Sequence, residues 1–316
     1  MLLKFLVAAI AAGTPLLFGT VGEILNERVG HLNLGVEGMM AIGACAGFMA
    51  GYLTDSFAAA LIAAFLAGML AALIYAVLTV TFLANQNVTG LALTIFGEGL
   101  SNFIGVLMIS RSETKTLKLP ETITAHMRSV SIPGLSDLPA AGELFFSYNP
   151  FVYLGIVIAL AAGYYLHRTK TGLNVRAVGE NPAAADAAGI NVTRTKYVNI
   201  LLGGGICGIG GAYCSMIINS GVWISDSVGG LGWIAVALVI FASWSPYRAI
   251  VGSLIFGALS VLQFYKPAFL RDVSAPIFSM LPFLVTAIVL VITSVRMSRE
   301  KVQPKGCGIN YDREER

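Results

Sequence analysis

Charge is scarce in this chain: only 12% of its 316 residues are Asp, Glu, Lys or Arg, where soluble domains carry about 25%. Residues 57–83 run for 27 positions without a single charge, beyond the ~20 needed to span a bilayer and the ~14 of a typical buried core helix. That excludes a soluble protein. Cysteine is equally thin. Cys45, Cys207, Cys214 and Cys307 form no C-x-x-C pair, and three of them sit in apolar runs, so neither a disulfide framework nor a thiolate metal site is indicated. His31, His126 and His167 are scattered, which argues against a cluster of metal ligands. The sequence also lacks G-x-x-x-x-G-K-[ST], G-x-S-x-G and H-E-x-x-H, so it has no ATP-binding phosphate loop and no signature of an intramembrane enzyme. No enzyme activity, metal or cofactor is expected in the chain itself.

What is present is apolar: 56% of residues are hydrophobic, with a mean hydropathy of +0.79. Apolar segments fall near 5–24, 33–54, 57–83, 88–110, 150–166, 197–219, 228–245, 249–265 and 276–295. The expectation is an all-α polytopic membrane bundle of about 8–10 transmembrane helices, some broken or re-entrant. The segments 228–245 and 249–265 are joined by a tight "SPYR" turn, as in a helical hairpin. One transmembrane domain covers 1–295, with a polar, proline-bearing outer loop at 111–149 and an inner loop at 168–196. The tail 296–316 is charged and reads as disordered. Lys4 followed by an apolar run looks like a signal peptide, but no small-residue cleavage site follows, so this is a retained first span.

Orientation follows from lysine and arginine placement. With the loop "GENP" in the cytoplasm, 13 basic residues fall inside and 7 outside, four of the latter in the single long loop 111–149. The C-terminus is then in the cytoplasm; an odd count of spans leaves the N-terminus outside, and a re-entrant segment counted as a span reverses that side.

Two segments place polar residues in apolar surroundings. "GHLNLGVEGMM" sets Asn33 and Glu37 four residues apart, on one face of an expected helix, among glycines that allow the helix to break. In "NVTGLALTIFGEGLSNFIG", Thr94, Glu98, Ser101 and Asn102 recur at helical spacing as a polar stripe. A carboxylate at bilayer depth is costly and faces a bundle interior or a wet pathway. Asn33, Glu37, Thr94, Glu98 and Asn102 are therefore the candidate pathway residues. Phe96, Phe103, Trp223 and Trp233 are aromatic surfaces that could stack on a base or serve packing. "GGGICG" at 203–208 matches G-x-G-x-x-G, but no strand precedes it, so it reads as close helix packing rather than dinucleotide binding.

"GENPAAADAAGINV" departs from its greasy neighbours. Asn181 is a good N-cap, Pro182 suits the first helical position, and Gly189 is placed to end a short soluble helix. The wider stretch "TGLNVRAVGENPAAADAAGINVTRTKY" resembles the cytoplasmic segment of ABC-importer permeases in the branch serving simple sugars, nucleosides and branched-chain amino acids. "TPLLFGTVGEILNERVGHLNLGVEGMMAIGA" and "GGLGWIAVALVIFASWSPYRAIVGSLIFG" extend that resemblance over most of 10–295, and the first is most similar to the nucleoside-type permeases. The resemblance implies a multi-pass permease subunit in a bacterial cell membrane. It pairs with a second permease, a heterodimer in the nucleoside type. It also works with an ATPase carrying two nucleotide domains, which holds ATP and Mg, and with a substrate-binding lipoprotein. It further implies that the short helix is a coupling helix resting on the ATPase, with Gly179, Glu180, Asn181, Pro182, Ala184, Ala185, Asp186 and Gly189 as the coupling residues. Nucleosides come first as substrate, then simple sugars, then a ribityl compound such as riboflavin. An ion-coupled secondary transporter using Glu37 and Glu98, or a purely structural membrane subunit, stays open on the residues alone.

Overall fold

The structure, a computed structural model, describes residues 2–129, 142, 144, 146–265, 274–295 and 303–313. Its helices run in chain order as α1 (Leu2–Arg28), α2 (Val36–Thr54), α3 (Phe57–Ala76, continued as a π-helix Val77–Thr81) and α4 (Gln86–Arg111). They continue as α5 (Glu121–His126), α6 (Pro150–Arg168), α7 (Lys170–Glu180), α8 (Pro182–Ala187) and α9 (Val192–Tyr213, continued as a π-helix Cys214–Ile218). The last three are α10 (Leu231–Phe241), α11 (Pro246–Val261) and α12 (Ala275–Val295). Among the described residues there is no strand, only an antiparallel bridge between Lys118 and Val222. Among the described residues, seven helices are long and apolar enough to cross a membrane. The expected all-α polytopic bundle is what the chain forms.

Helix starts are written into the sequence as local caps. Asn85 accepts the Val88 N–H at 3.1 Å, Asn149 that of Val152 at 3.3 Å and Asn191 that of Arg194 at 2.8 Å. Each satisfies one of the N–H groups that a helix start leaves without a partner. The interior is held by small residues. "GGGICG" lies wholly within α9, and a Cβ on Gly204 would stand 2.7 Å from the Gly68 carbonyl oxygen, while one on Gly208 would collide with that of Ala64. The glycines let α9 touch the backbone of α3, as close helix packing requires. We expect Gly208→Leu to cost roughly 3 kcal/mol or more through overpacking. Thermal unfolding of the purified chain in detergent checks this, and an unchanged midpoint contradicts it.

Two of the apolar segments are broken rather than helical throughout, the first at the glycines expected to allow it. The run 33–54 becomes helical only at Val36, because 29–35 leaves the helix at Gly30 (φ +91°) and climbs beside α4 as irregular backbone. Leu32 donates its N–H to Gln86 Oε1 at 2.8 Å, and two turns further along α4 the Thr94 hydroxyl donates to the Leu34 carbonyl at 2.9 Å. Tyr75 donates to the Leu32 carbonyl, Glu23 accepts the Asn33 N–H and Asn33 Oδ1 accepts the Gly35 N–H. Side chains thus replace the helical hydrogen bonds, and irregular backbone at membrane depth is tolerated because it is buried in protein. Asn33 and Glu37 therefore do not share a helix face.

The run 228–245 likewise holds only the 11-residue α10, about 16 Å long against a hydrocarbon core of about 30 Å. The loop 219–230 leads into it. It is tied to the loop after α4 by Leu119 N–H to Gly221 O at 2.8 Å and Trp223 N–H to Leu117 O at 2.9 Å. At its far end α10 meets α1. Arg28 Nε donates to the Trp244 carbonyl at 2.9 Å, and the Trp244 indole donates to Glu27, a cation against a helix C-terminus.

The tail was expected to be disordered, and residues 303–313 depart from that. They pack across the α8 end of the bundle, with the Gly306 N–H donating to the Gly179 carbonyl at 2.8 Å. Residues 296–302 and 314–316, and much of the loop 111–149 with its Pro133 and Pro139, lie outside the described residues.

Candidate functional site

Both interruptions converge on Glu37. It stands in the first turn of α2, where a carboxylate is favoured by the helix dipole. Its oxygens accept the N–H of Gly230 at 2.8 Å and of Gly232 at 2.6 Å, the N-cap and second residue of α10. One carboxylate thus serves two helix N-termini that meet inside the bundle. Gly232 is required for the approach, since a Cβ there would sit 2.5 Å from Glu37 Cα.

Beside this junction a cavity of about 310 Å³ opens between α2, α4 and the loop 219–230, lined among others by Glu37, Glu98, Ser101, Asn102, Asp226 and Gly230. Asn102 and Asp226 clasp each other across it. Asn102 Nδ2 donates to Asp226 Oδ1 at 2.7 Å, and Asn102 Oδ1 accepts the Asp226 N–H at 3.1 Å. Asp226 holds φ +54°, a left-handed conformation that Asp tolerates through local hydrogen bonding. The described lining contains three carboxylates and no basic side chain. Such a surface accepts hydrogen bonds from hydroxyl and amine donors and repels anions.

The structure therefore brings Glu37, Glu98 and Asn102 together and separates them from two other candidates. Asn33 (0% exposed) and Thr94 (4%) are absorbed in holding the segment 29–35. Asp226 and Ser227 belong to the cavity but were not singled out from the sequence, although "SDSVGG" is a polar break ahead of α10 that could have signalled them. Of the aromatics, Trp223 is packing: it is buried against Gly105 and its ring centroid lies 5.4 Å from that of Phe48. Phe96 and Phe103 lie exposed on the outer face of α4, and Trp233 is part-exposed on α10. Among the described residues no group of His, Cys, Asp or Glu is placed to hold a metal ion.

At the end of the bundle the short helix α8 forms as its signals direct. Asn181 Oδ1 accepts the Ala184 N–H at 3.0 Å, Pro182 opens the helix and Gly189 closes it at φ +83°. Ala184 and Ala187 point outward, whereas Ala185 is buried against the bundle. Gly179 and Glu180 end α7, with Gly179 pressed against the Arg28 carbonyl. Asp186 is half-buried and faces the tail, accepting from the Tyr311 hydroxyl at 2.9 Å and pairing with Arg313 at 3.2 Å.

With this geometry in place, comparison with known proteins is informative. Residues 5–291 match the family described as branched-chain amino acid transport system / permease component. A putative glucose ABC transporter permease of Haloferax volcanii is 35% identical, covering 81% of this chain and 75% of its own length. A nucleoside ABC transporter permease of Lactococcus lactis is 31% identical over 94% of this chain and 93% of its own. Two guanosine ABC transporter permeases of Bacillus subtilis also match. One is 32% identical over 90% and 89% of the two chains, the other 22% identical over 78% and 70%. A solved structure described as an inward-facing conformation of a putative metal-chelate type ABC transporter shares the fold, with a TM-score of 0.52 at 16% identity, covering 93% of this chain and 86% of that one. Ion-coupled transport through Glu37 and Glu98 finds no support: the Glu37 carboxylate is engaged as a helix cap, and the relatives named above are ABC permeases.

Proposed function

The chain belongs to the permease family of branched-chain amino acid transport systems and is a membrane subunit of an ABC transporter, and on that premise we propose that it forms one half of an import pathway for nucleosides. The observation that carries the reading is the cavity beside the α2–α10 junction, whose described lining is rich in hydrogen-bond acceptors and holds no basic group. Ribose hydroxyls and base N–H groups find acceptors there, while a phosphate would be repelled. Glu98, Asn102 and Asp226 meet the solute, and Glu37 holds the two helix ends between which it passes. The contacts are few, so that the solute is not trapped. The full-length likeness to nucleoside and guanosine permeases supports the same class.

The partners are a second, non-identical permease, an ATPase with two nucleotide domains, and an extracytoplasmic lipoprotein that delivers the solute. The occurrence of two similar permeases under one transporter name in Bacillus subtilis supports the heterodimer. The chain hydrolyses no ATP itself; α8 rests on the ATPase and passes its rigid-body movement into the bundle. The α8 end, with the C-terminus, faces the cytoplasm, in keeping with the basic residues Arg28, Arg168, Lys170, Arg176, Arg194 and Arg248 at that end.

Uptake of labelled guanosine into cells carrying the whole system, with unlabelled competitors, tests the substrate class. Nucleosides should compete, and nucleoside monophosphates should not. Competition by glucose and not by nucleosides overturns the reading. A small aqueous thiol reagent separates the lining from its scaffold: Glu98→Cys and Asn102→Cys should label, whereas Thr94→Cys should stay protected. Labelling at Thr94→Cys alone contradicts the placement.

A further inference from the structure

The segment 303–313 touches several elements at the α8 end, and beside the apolar packing of Tyr311 on the core it makes specific hydrogen bonds. At one end it joins α8, through the Tyr311 hydroxyl and Arg313 on Asp186. In the middle it joins the corner between α3 and α4: Asn310 Nδ2 donates to the carbonyls of Leu83 and Ala84, and Asn310 Oδ1 accepts from Gln86 Nε2 at 3.0 Å. At the other end the Gly306 N–H meets the Gly179 carbonyl at the close of α7, and Gln303 reaches Glu27 at the end of α1. Gln86 in turn holds Leu32 with its own carbonyl oxygen. A connected path therefore runs from Asp186 on α8 by hydrogen bond to Tyr311, along the backbone to Asn310, and by hydrogen bonds on to Gln86 and the irregular segment 29–35 that leads into α2 and Glu37.

We infer that residues 303–313 are a strap that ties α8 to the α3–α4 corner, so that Asn310 and Tyr311 are positioning residues for coupling. The inference rests on the transporter reading above and adds the route by which a push on α8 reaches the pathway. Among the described residues, and apart from the strap, α8 packs mainly on its chain neighbours α7 and α9, with Ala185 turned into the core. With it, a displacement of α8 is delivered directly to the base of α4, the helix that carries Glu98 and Asn102. Rigid hydrogen-bonded links of this kind are what can carry a two-state movement between sites.

A native reporter sits in the strap. Cys307 lies against Gln303, which donates to its sulfur at 3.3 Å, and burial together with the nearby Glu27 and Glu23 carboxylates pushes its thiol above the ordinary range. A thiol so placed reacts slowly with alkylating agents, and the other three cysteines are buried in the bundle. Release of the strap should therefore appear as faster alkylation of Cys307.

The experiment uses the whole complex in proteoliposomes and reads three quantities: uptake, ATP hydrolysis, and the rate of Cys307 alkylation by a maleimide. Asn310→Ala, which removes three hydrogen bonds, should leave ATP hydrolysis within about twofold of the parent. It should lower uptake per ATP about tenfold or more and speed alkylation by a similar factor. Tyr311→Phe removes only the hydroxyl and should act in the same direction with a smaller effect. It also decides the matter if Asn310→Ala fails to assemble. Gln86→Ala should add little to the loss of uptake per ATP in Asn310→Ala, because Gln86 stands next in the same path, even though it also frees the Leu32 N–H. Faster alkylation with unchanged uptake per ATP overturns the inference, as does a rise in uptake, which would make the strap a brake. Absence of ATP-driven uptake in the parent complex would instead reject the transporter reading itself.

Discussion

Replacing Glu37 with leucine should reduce uptake to background, while Glu37→Gln keeps a measurable fraction. The carboxylate accepts two backbone N–H groups at the start of α10, and α10 has no side-chain cap of its own. Leucine leaves both donors unsatisfied in a buried site, at about 1–3 kcal/mol each. It also removes a link between the N-termini of α2 and α10. Glutamine retains one acceptor and the shape, so one of the two bonds survives. The expected order is parent, then Gln, then Leu, in both uptake and the thermal midpoint of the purified chain. Equal and mild effects of the two substitutions would mean that Glu37 does not hold α10, and the account of the junction would be wrong.

The second large effect is expected on α8. Tryptophan at Ala184 or Ala187, both on the outward face, should block docking of the ATPase without disturbing the spans. Co-purification of the ATPase should fall at least about tenfold, equivalent to ~1.4 kcal/mol, with normal expression and loss of uptake. Ala185→Trp is the informative contrast, because Ala185 is only 4% exposed and a large side chain there overpacks the bundle. It should lower the thermal midpoint, whereas the two outward substitutions should not. Full ATPase association in both outward variants would remove α8 from the coupling route.

How much of this was legible follows from what each signal measures. Hydropathy reports whether a segment can sit in lipid, so the segments 57–83 and 150–166 match α3 with its π-helical end and α6 within a few residues. The helix α8 was legible too, since Asn181, Pro182 and Gly189 act within their own turns. The breaks at 29–35 and 219–230 were legible only in part. Glycines allow the first and the polar run "SDSVGG" could have marked the second, but what fixes the irregular backbone is the supply of hydrogen bonds from Gln86, Tyr75, Thr94 and Asn102, far away in the chain. For the same reason Thr94 reads as part of a polar stripe, although its hydroxyl serves the Leu34 carbonyl rather than the cavity. The tail illustrates the converse. Its charged composition reads as disorder, yet Asn310 and Tyr311 are held by groups more than a hundred residues distant. Local composition carries no trace of such partners.

The central claim is that this chain is half of an ATP-driven pathway and does nothing alone. It is tested most directly by nucleoside uptake into proteoliposomes, comparing the chain alone with the chain combined with its second permease, ATPase and binding lipoprotein. The account predicts uptake only in the full assembly, only with ATP on the α8 side, and unaffected by collapse of a proton or sodium gradient. Gradient-driven uptake by the chain alone would contradict it.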